Sequence, residues 1–171
     1  LKENEYISTK DAIGDLPSLE DEPDKGEFDY ETKPFSEYQK LMRKGSKMIH
    51  NHLVTKHTQK VKDIISLVPD GGNFKDLPKG IGENRKFNEA WRRYDSNKPS
   101  RTIDTGHRNH FHYKYNRVPT VRENERLQSF PDKFIFLGSK TEQYRQVGNA
   151  VPPLLSKAVA EEILKIIDKK K

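Results

Sequence analysis

The chain's candidate chemistry lies near its C-terminal end, at Gly148, Asn149 and Ala150, just before Pro152-Pro153. Glycine lets a backbone approach a ligand closely, and the asparagine amide offers both a hydrogen-bond donor and an acceptor. The same residues could instead only turn the chain between two helices. The 171 residues include no cysteine, which excludes a thiolate nucleophile and a Cys-ligated zinc site within them.

A second polar run, formed by His107, Arg108 and Asn109, follows Gly106. Arginine pairs with guanine and asparagine with adenine in the major groove of DNA, so this run could read bases. The segment Thr102–Thr105 predicts a short strand that Gly106 ends. An exposed hairpin without a special function has the same composition, and both interpretations stay open on these residues alone.

The charge distribution favours a polyanionic partner. The formal net charge is +6, from 32 Lys and Arg against 26 Asp and Glu. Residues 1–32 hold eleven acids and three lysines, which leaves 29 bases and 15 acids, a net +14, in residues 33–171. Lys- and Arg-rich surfaces bind nucleic acid by releasing its counterions, although solvated surface charge is an equally good interpretation of the composition.

The low apolar content bounds the size of any core. Only 32% of residues are hydrophobic and the mean hydropathy is -1.01, so we expect a thin core that a partner surface completes. No apolar run approaches the roughly 18 residues of a membrane span, which favours a cytoplasmic chain that does not enter a membrane.

Two helices with clear start signals frame Asn149. Thr120 and Glu123 form a capping box that begins the first helix, and Phe130-Pro131 ends it. Pro152-Pro153 opens the second, a long apolar helix. Between them, Phe134–Leu137 predicts a short buried strand.

Arg122 and Arg126 lie four residues apart, on one face of the first of these helices. Two roles fit them equally well: pairing with Glu123 and Glu125, or facing a backbone phosphate of DNA.

The earlier part of the chain predicts further helices joined by loops. An acidic segment over residues 18–33 has no periodicity and is expected to be a linker without regular structure. The predicted helices are Ile7–Leu16, one within Pro34–Lys47, and one that starts at Thr55 or Thr58 and ends before Pro69.

Three histidines and the single tryptophan are candidates for binding. His50, His52 and His57 could form a metal cluster, but no carboxylate stands in an obvious ligand position, so we expect polar or phosphate-facing groups beside a basic patch. Trp91 is expected to pack in the core or at a lobe interface rather than stack on a base.

Two long segments carry a resemblance to a known family. NRVPTVRENERLQSFPDKF, residues 116–134, is similar to the ninth motif of the DNA cytosine-5 methyltransferases, and QYRQVGNAVPPLL, residues 143–155, to the tenth. DAIGDLP resembles the segment after the family's eighth motif, and HNHLVTKHTQKV, VPDGGNFKDLP and PSRTIDT resemble its target recognition region. The family's cofactor loop, Pro-Cys, Glu-Asn-Val and Gln-x-Arg-x-Arg motifs do not occur, and would lie upstream of Leu1.

The resemblance implies an α+β fold in three parts. Residues 1–33 would form an N-terminal helix and acidic connector. Residues 34–115 would form a small irregular target recognition lobe of short strands and helices. Residues 116–171 would hold motifs nine and ten and a C-terminal helix that packs on a Rossmann-like methyltransferase domain outside these residues.

The implied function is the DNA-target-recognising, C-terminal portion of a bacterial enzyme of restriction-modification. That enzyme transfers methyl from S-adenosylmethionine to a flipped cytosine in a specific duplex site, through a cysteine these residues lack, so the chain alone is expected to be inactive. The implied partners are double-stranded DNA and the N-terminal catalytic domain or subunit. Two alternatives stay open: a specificity subunit of a split methyltransferase, and a non-catalytic DNA-binding module.

The resemblance also implies roles for individual residues. The cofactor would be contacted by Asn149 and by Ala150, which stands where many relatives have serine. Thr102-Ile103 matches the family's recognition dipeptide, and DNA recognition is expected of Arg101, Thr102, Ile103, Asp104, His107, Arg108 and Asn109. Structural roles in motif nine are expected of Arg117, Thr120, Glu123, Arg126 and Gln128. No catalytic residue and no metal ligand is expected.

Overall fold

A computed structural model describes residues 6–19, 26–106 and 109–168 of the chain. It has mixed helix and strand structure, with short elements in its first two thirds and longer helices at its end. In chain order the elements are α1 (Thr9–Ile13), α2 (Glu37–Arg43), α3 (Gln59–Ser66), a 3₁₀ turn (Phe74–Asp76), β1 (Arg92–Arg93), β2 (His110–Phe111), α4 (Val121–Leu127), α5 (Lys140–Asn149) and α6 (Pro153–Asp168).

Side-chain caps begin α1, α2 and α4, and the cap of α4 is the one that the sequence predicted. Ser8 and Ser36 accept backbone hydrogen bonds at α1 and α2, and Thr120 and Glu123 form the expected capping box of α4. Thr58 precedes α3 without a side-chain cap. The observed α1 is shorter than the predicted Ile7–Leu16, because Gly14 ends it.

The first apolar cluster overturns part of the linker prediction. Phe28 forms an antiparallel bridge with Ile49, and Leu19 and Phe28 are 5% and 4% exposed. They pack with Ala12 and Ile13 of α1 because these few large apolar side chains outweigh the acidic composition around them. Residues 20–25, the rest of the predicted linker, lie outside the described residues.

The strand predicted over Thr102–Thr105 is wrong. The strands are instead β1 and β2, which pair in parallel with Arg92 opposite His110. Ile103 is buried in a second cluster formed with Tyr94, Val121, Phe130, Phe136, Tyr144 and Val147. The backbone at Asp104 and Thr105 instead packs against Gly148 of α5.

The buried strand predicted at Phe134–Leu137 is also wrong. Only Phe136 is buried, at 7% exposure, while Leu137 is 76% exposed. The Asn51 amide takes the place of a partner strand: it donates to the Phe136 carbonyl at 2.9 Å and accepts from the Phe136 N–H at 3.0 Å. One side chain therefore satisfies a backbone that would otherwise need a ladder.

Helix α5 was not predicted and changes the setting of the Gly-Asn pair. Gly148 and Asn149 close the last turn of α5, and Ala150 is its C-cap. Helix α6 follows directly and was predicted. None of its described side chains is buried, and no helix among the residues described is long and apolar enough to cross a membrane.

Candidate DNA-recognition and cofactor site

A buried ion pair fixes the start of α4. Arg117 donates from two nitrogens to the two carboxylate oxygens of Glu123, at 2.7 and 2.6 Å. Glu123 also accepts from the Thr120 N–H at 2.7 Å, so it completes the cap and pairs with the arginine at once. Burial alone would raise the pKa of Glu123, but Arg117 holds it well below the usual range. The carboxylate therefore stays ionised inside the protein.

Arg122 and Arg126 point into the protein, which decides between their two predicted roles. Both side chains are fully buried, so neither faces a phosphate. Arg122 pairs with Glu125 at 2.5 Å, as one alternative predicted, and also donates to the Phe134 carbonyl at 2.8 Å. The pairing of Arg126 with Glu125 or Glu123 is wrong, since its carboxylate partners are Asp132 and Asp15.

Arg126 ties three parts of the chain together. It contacts Asp132 through two nitrogens, one of them at 2.6 Å from Oδ2. A third nitrogen lies 3.1 Å from both the Asp15 carboxylate and the Ala12 carbonyl. A planar guanidinium with several fixed donors suits such a junction better than the point charge of a lysine. The loops before α2 and after α4 are thereby held against one another.

Gln128 extends this framework to the C-terminal helices. Its side-chain amide donates to the Val147 carbonyl of α5 at 3.2 Å. Ser129, which follows it with a positive φ of 61°, accepts from the Leu154 N–H at 3.1 Å. The motif-nine segment thus contacts both α5 and the start of α6.

Two buried histidines complete the core of this framework. His52 lies between the Thr120 hydroxyl, at 2.7 Å, and the Pro17 carbonyl, at 3.0 Å. The carbonyl can only accept, so Nε2 carries the proton and Nδ1 accepts from Thr120. The expectation of a phosphate-facing group is therefore wrong for His52. The part of the chain that the structure describes has no group of three or more His, Asp or Glu placed to hold a metal.

His112 is held in one neutral form by its neighbours. Its Nδ1 accepts from the N–H groups of Lys114 and Tyr115, both at 3.0 Å, and its Nε2 faces Glu123 at 3.5 Å. Burial lowers the pKa of His112 to about 3 and that of His52 to about 4. Both rings therefore stay neutral in the folded protein at ordinary pH.

This depression predicts a loss of stability in mild acid. The unfolded chain protonates each histidine near its ordinary pKa of about 6.5, whereas the folded chain does so only near 4 and 3. The contribution of these two histidines to stability is therefore largely present above about pH 6.5 and falls as the pH is lowered, by about 1.4 kcal/mol for the pair between pH 7 and 6. Urea denaturation at the two pH values measures it. His52→Gln should show a shallower pH dependence than the wild type, and equal slopes would contradict the assignment.

The residues expected to read DNA differ in their exposure and in whether the structure describes them. Arg101 and Thr102 are exposed, whereas Ile103 is 5% exposed and holds the segment to the core. Asp104 accepts from the Asn109 amide and from the Gly106 N–H, each at 3.0 Å, which closes a short loop. His107 and Arg108, the other two residues expected to read DNA, are outside the described residues.

Gly148 brings the two candidate sites into direct contact. A Cβ added at Gly148 would lie 2.5 Å from the Asp104 carbonyl carbon and 2.6 Å from the Thr105 nitrogen. Only a residue without a side chain permits this approach. Asn149 is exposed on the next position of α5, and Ala150 packs partly on the second cluster. The candidate cofactor residues therefore adjoin the candidate recognition segment.

Sequence reasoning missed several groups of this site. The signal for α5 was present, since Ser139 and Glu142 form a capping box. Trp91 packs against a third apolar cluster, formed by Ile65, Val68, Phe111 and Val118, as predicted. No local sequence signal indicated that His112 is buried. Asp15, a partner of Arg126, lies 111 residues away from it along the chain.

Comparison with known proteins identifies the class. The chain matches the C-5 cytosine-specific DNA methylase family over residues 1–165, and it belongs to that family. It is 37% identical to the type II methyltransferase M.DdeI of Desulfomicrobium norvegicum, over 94% of this chain and 43% of that protein. It is 41% identical to the type II methyltransferase M1.HphI of Haemophilus parahaemolyticus, over 85% and 39%. The chain thus spans less than half the length of these two relatives.

The chain is also similar to a shorter relative and to a solved structure. The type II methyltransferase M.AquIB of Picosynechococcus is 36% identical over 71% of this chain and 95% of that protein. The structure of a protein described as a DNA modification methyltransferase encoded within an E. coli prophage superposes with a TM-score of 0.72. It covers 95% of this chain and 47% of that one at 22% identity, which shows likeness of fold alone.

Proposed function

We propose that the chain is the target-recognising, C-terminal part of a DNA cytosine-5 methyltransferase of a restriction-modification system. Residues 34–115 read double-stranded DNA, residues 1–33 precede this lobe, and residues 116–171 return to a catalytic domain. One observation carries the proposal: the close packing of Asp104 and Thr105 on Gly148 holds the recognition segment beside the motif-ten helix.

The chemistry of the reaction indicates which groups this chain supplies and which the catalytic domain supplies. Methylation at carbon five of cytosine needs a thiolate to add to carbon six of a flipped base, and these 171 residues contain no cysteine. The nucleophile therefore belongs to the catalytic domain. S-adenosylmethionine supplies the methyl group when bound. The exposed Asn149 amide fits one polar contact at the edge of that site, while the methyl side chain of Ala150 offers no hydrogen bond.

Asn149→Ala should weaken cofactor binding in the complete enzyme by about fivefold, the effect of losing one hydrogen bond of about 1 kcal/mol. Calorimetric titration of the chain joined with its catalytic domain measures the affinity. Thr141→Ala, at an exposed position at the opposite end of α5, is the control and should bind as the wild type does. Unchanged affinity in Asn149→Ala would remove this residue from the cofactor site.

Helix α6 supplies the surface for the catalytic domain. Seven large apolar side chains of α6 are exposed: Leu154, Leu155, Val159, Ile163, Leu164, Ile166 and Ile167. A patch of this kind in a family member that contains no nucleophile of its own fits an interface with the domain that holds it. The occupant we propose is therefore the catalytic domain of the same methyltransferase.

Ile163→Lys should abolish association with the catalytic domain, because it places a charge in the apolar interface. Glu161→Lys is the matched control: it introduces the same side chain two residues away, on a nearly opposite face of α6. Sedimentation of the mixture reports association, and labelled S-adenosylmethionine reports methyl transfer to DNA. Methyl transfer with wild type and control but not with Ile163→Lys supports the proposal. No transfer with the wild-type chain, either mixed with the catalytic domain or joined to it covalently, would refute it.

One observation favours the second candidate, a separate specificity subunit of a split methyltransferase. The relative from Picosynechococcus is covered over 95% of its own length, so a family protein of nearly this size exists. The same mixing experiment separates the two. A subunit associates with its catalytic partner when the two are expressed as separate chains, whereas a domain needs covalent linkage for efficient methylation.

A further inference from the structure

A surface hollow beside the recognition segment involves residues that have no assigned role. It measures about 370 Å³ and is lined by Phe87, Glu89, Arg101, Thr102, Asp104 and His110. The Phe87 ring stands 62% exposed at its rim. The His110 ring is stacked on Tyr94 with centroids 5.2 Å apart, which fixes its plane. The hollow therefore has mainly apolar walls that also include two carboxylates, one arginine and one histidine.

Glu89 and His110, which line this hollow, each bury one polar atom without a hydrogen-bond partner. Among the described residues, Glu89 Oε2, Arg92 Nε and His110 Nε2 are buried atoms without one. Glu89 Oε2 lies 2.9 Å from Arg92 Nε, but the N–H is not aligned for a hydrogen bond. His110 is 8% exposed, and its Nε2 stands 3.9 Å from the same oxygen. Buried polar groups are normally hydrogen-bonded, so the protein itself leaves these groups incompletely satisfied.

The charges around the hollow favour a donor group over an anion. Among the described residues that line it, Glu89 and Asp104 contribute two carboxylates and Arg101 contributes one guanidinium. A phosphate would be repelled by these carboxylates. The amino groups of cytosine and adenine are donors displayed at base edges in the major groove, and a glutamate carboxylate accepts from them.

We propose that this hollow reads one base pair of the target, with Glu89 accepting a hydrogen bond from an exocyclic amino group and His110 completing the polar contact. The proposal rests on the proposed function, since it concerns how the same lobe chooses its site. Glu89 and His110 are specificity residues on this account. Phe87 packs against the neighbouring base edge, and Arg92 holds the Glu89 carboxylate from behind.

The test is Glu89→Gln in the complete enzyme, which keeps the shape of the side chain but replaces one acceptor oxygen by a donor. Methylation is measured on a DNA library with randomised bases around the cytosine and read by bisulfite sequencing. The preference at one position of the site should fall about tenfold or more, with the other positions unchanged. Glu83→Gln, an exposed carboxylate in the same loop, is the control and should leave the whole profile unchanged.

Each outcome decides the proposal. An unchanged profile in Glu89→Gln, or an equal loss at all positions, would overturn it while leaving the proposed function standing. His110→Phe keeps the ring stacked on Tyr94 but removes Nε2, and it should alter preference at the same position as Glu89→Gln. A wild-type enzyme that transfers no methyl group would overturn the proposed function itself, and this proposal with it.

Discussion

Arg126→Met is expected to lower the free energy of unfolding by about 3 kcal/mol or more. The guanidinium is fully buried between Asp132 and Asp15. Methionine fills much of the same volume but leaves these buried carboxylates without that cation. Asp15 still pairs with Arg43, at 2.5 Å. Among the described residues, the remaining partners of Asp132 are the Tyr30 hydroxyl, at 2.5 Å, and Arg122, at 3.8 Å. The uncompensated charge of Asp132 is therefore the main cost.

Urea denaturation followed by fluorescence of the single tryptophan, Trp91, measures this change. Arg145→Met is the matched control, because Arg145 is exposed on α5 and its loss should change stability by less than about 0.5 kcal/mol. A loss of less than about 1 kcal/mol in Arg126→Met would show that the buried network contributes little.

Gly148→Ala is expected to destabilise the chain by about 1–3 kcal/mol and to lower methylation of the target site. The added methyl group would lie 2.5 Å from the Asp104 carbonyl carbon. The obstacle is backbone, so no side chain can rotate away, and the recognition segment must move off α5. Because Thr102 precedes this contact and Asn149 follows it, one substitution should disturb both candidate sites.

Gly106→Ala provides the control for this prediction. Among the described residues, its added methyl group would meet the Asp104 side chain, at 3.6 Å or more, which is ordinary van der Waals contact. Denaturation gives the stability of each variant, and bisulfite sequencing of the methylated DNA gives its site preference. Equal stability and equal site preference of the two variants would mean that the contact between α5 and the recognition segment contributes to neither property.

Local signals predicted the helices well, and their success has a physical basis. A capping box or an opening proline satisfies backbone groups within three or four residues, so the start of α4 and of α6 can be read directly. The same signal was present for α5, at Ser139, but only Tyr144 and Val147 of that helix are buried. Its weak apolar pattern hid it.

The errors concern partners that are distant in the chain. The backbone at Asp104 packs on Gly148, and Asn51 pairs with Phe136 in place of a strand, so local β-propensity misled at both places. The arginines of α4 were recognised as charges on one face, but their burial depended on Asp15 and Asp132. In this chain the apolar core is small and is supplemented by buried ion pairs. Packing between residues distant in sequence therefore overrides the local preference for secondary structure.

The candidate site likewise contains residues that local sequence motifs indicated and residues that only the folded structure brings together. Resemblance to motifs nine and ten located Glu123 and Asn149, because those motifs are continuous in sequence. Glu89 and His110, which line the hollow, are 21 positions apart in the chain and are brought together by the parallel pairing of β1 and β2. No sequence motif indicates this hollow. Recognition surfaces built from loops are therefore found from the structure.

The central claim is that this chain selects the DNA site of a cytosine-5 methyltransferase. The most direct measurement joins one catalytic domain either to this chain or to a version whose residues 34–115 are replaced by the corresponding region of a relative with another specificity. Bisulfite sequencing then maps the methylated cytosines. We predict that the methylated sequence changes with residues 34–115 and with nothing else. The same sequence methylated by both forms, or no methylation by either, would contradict the account.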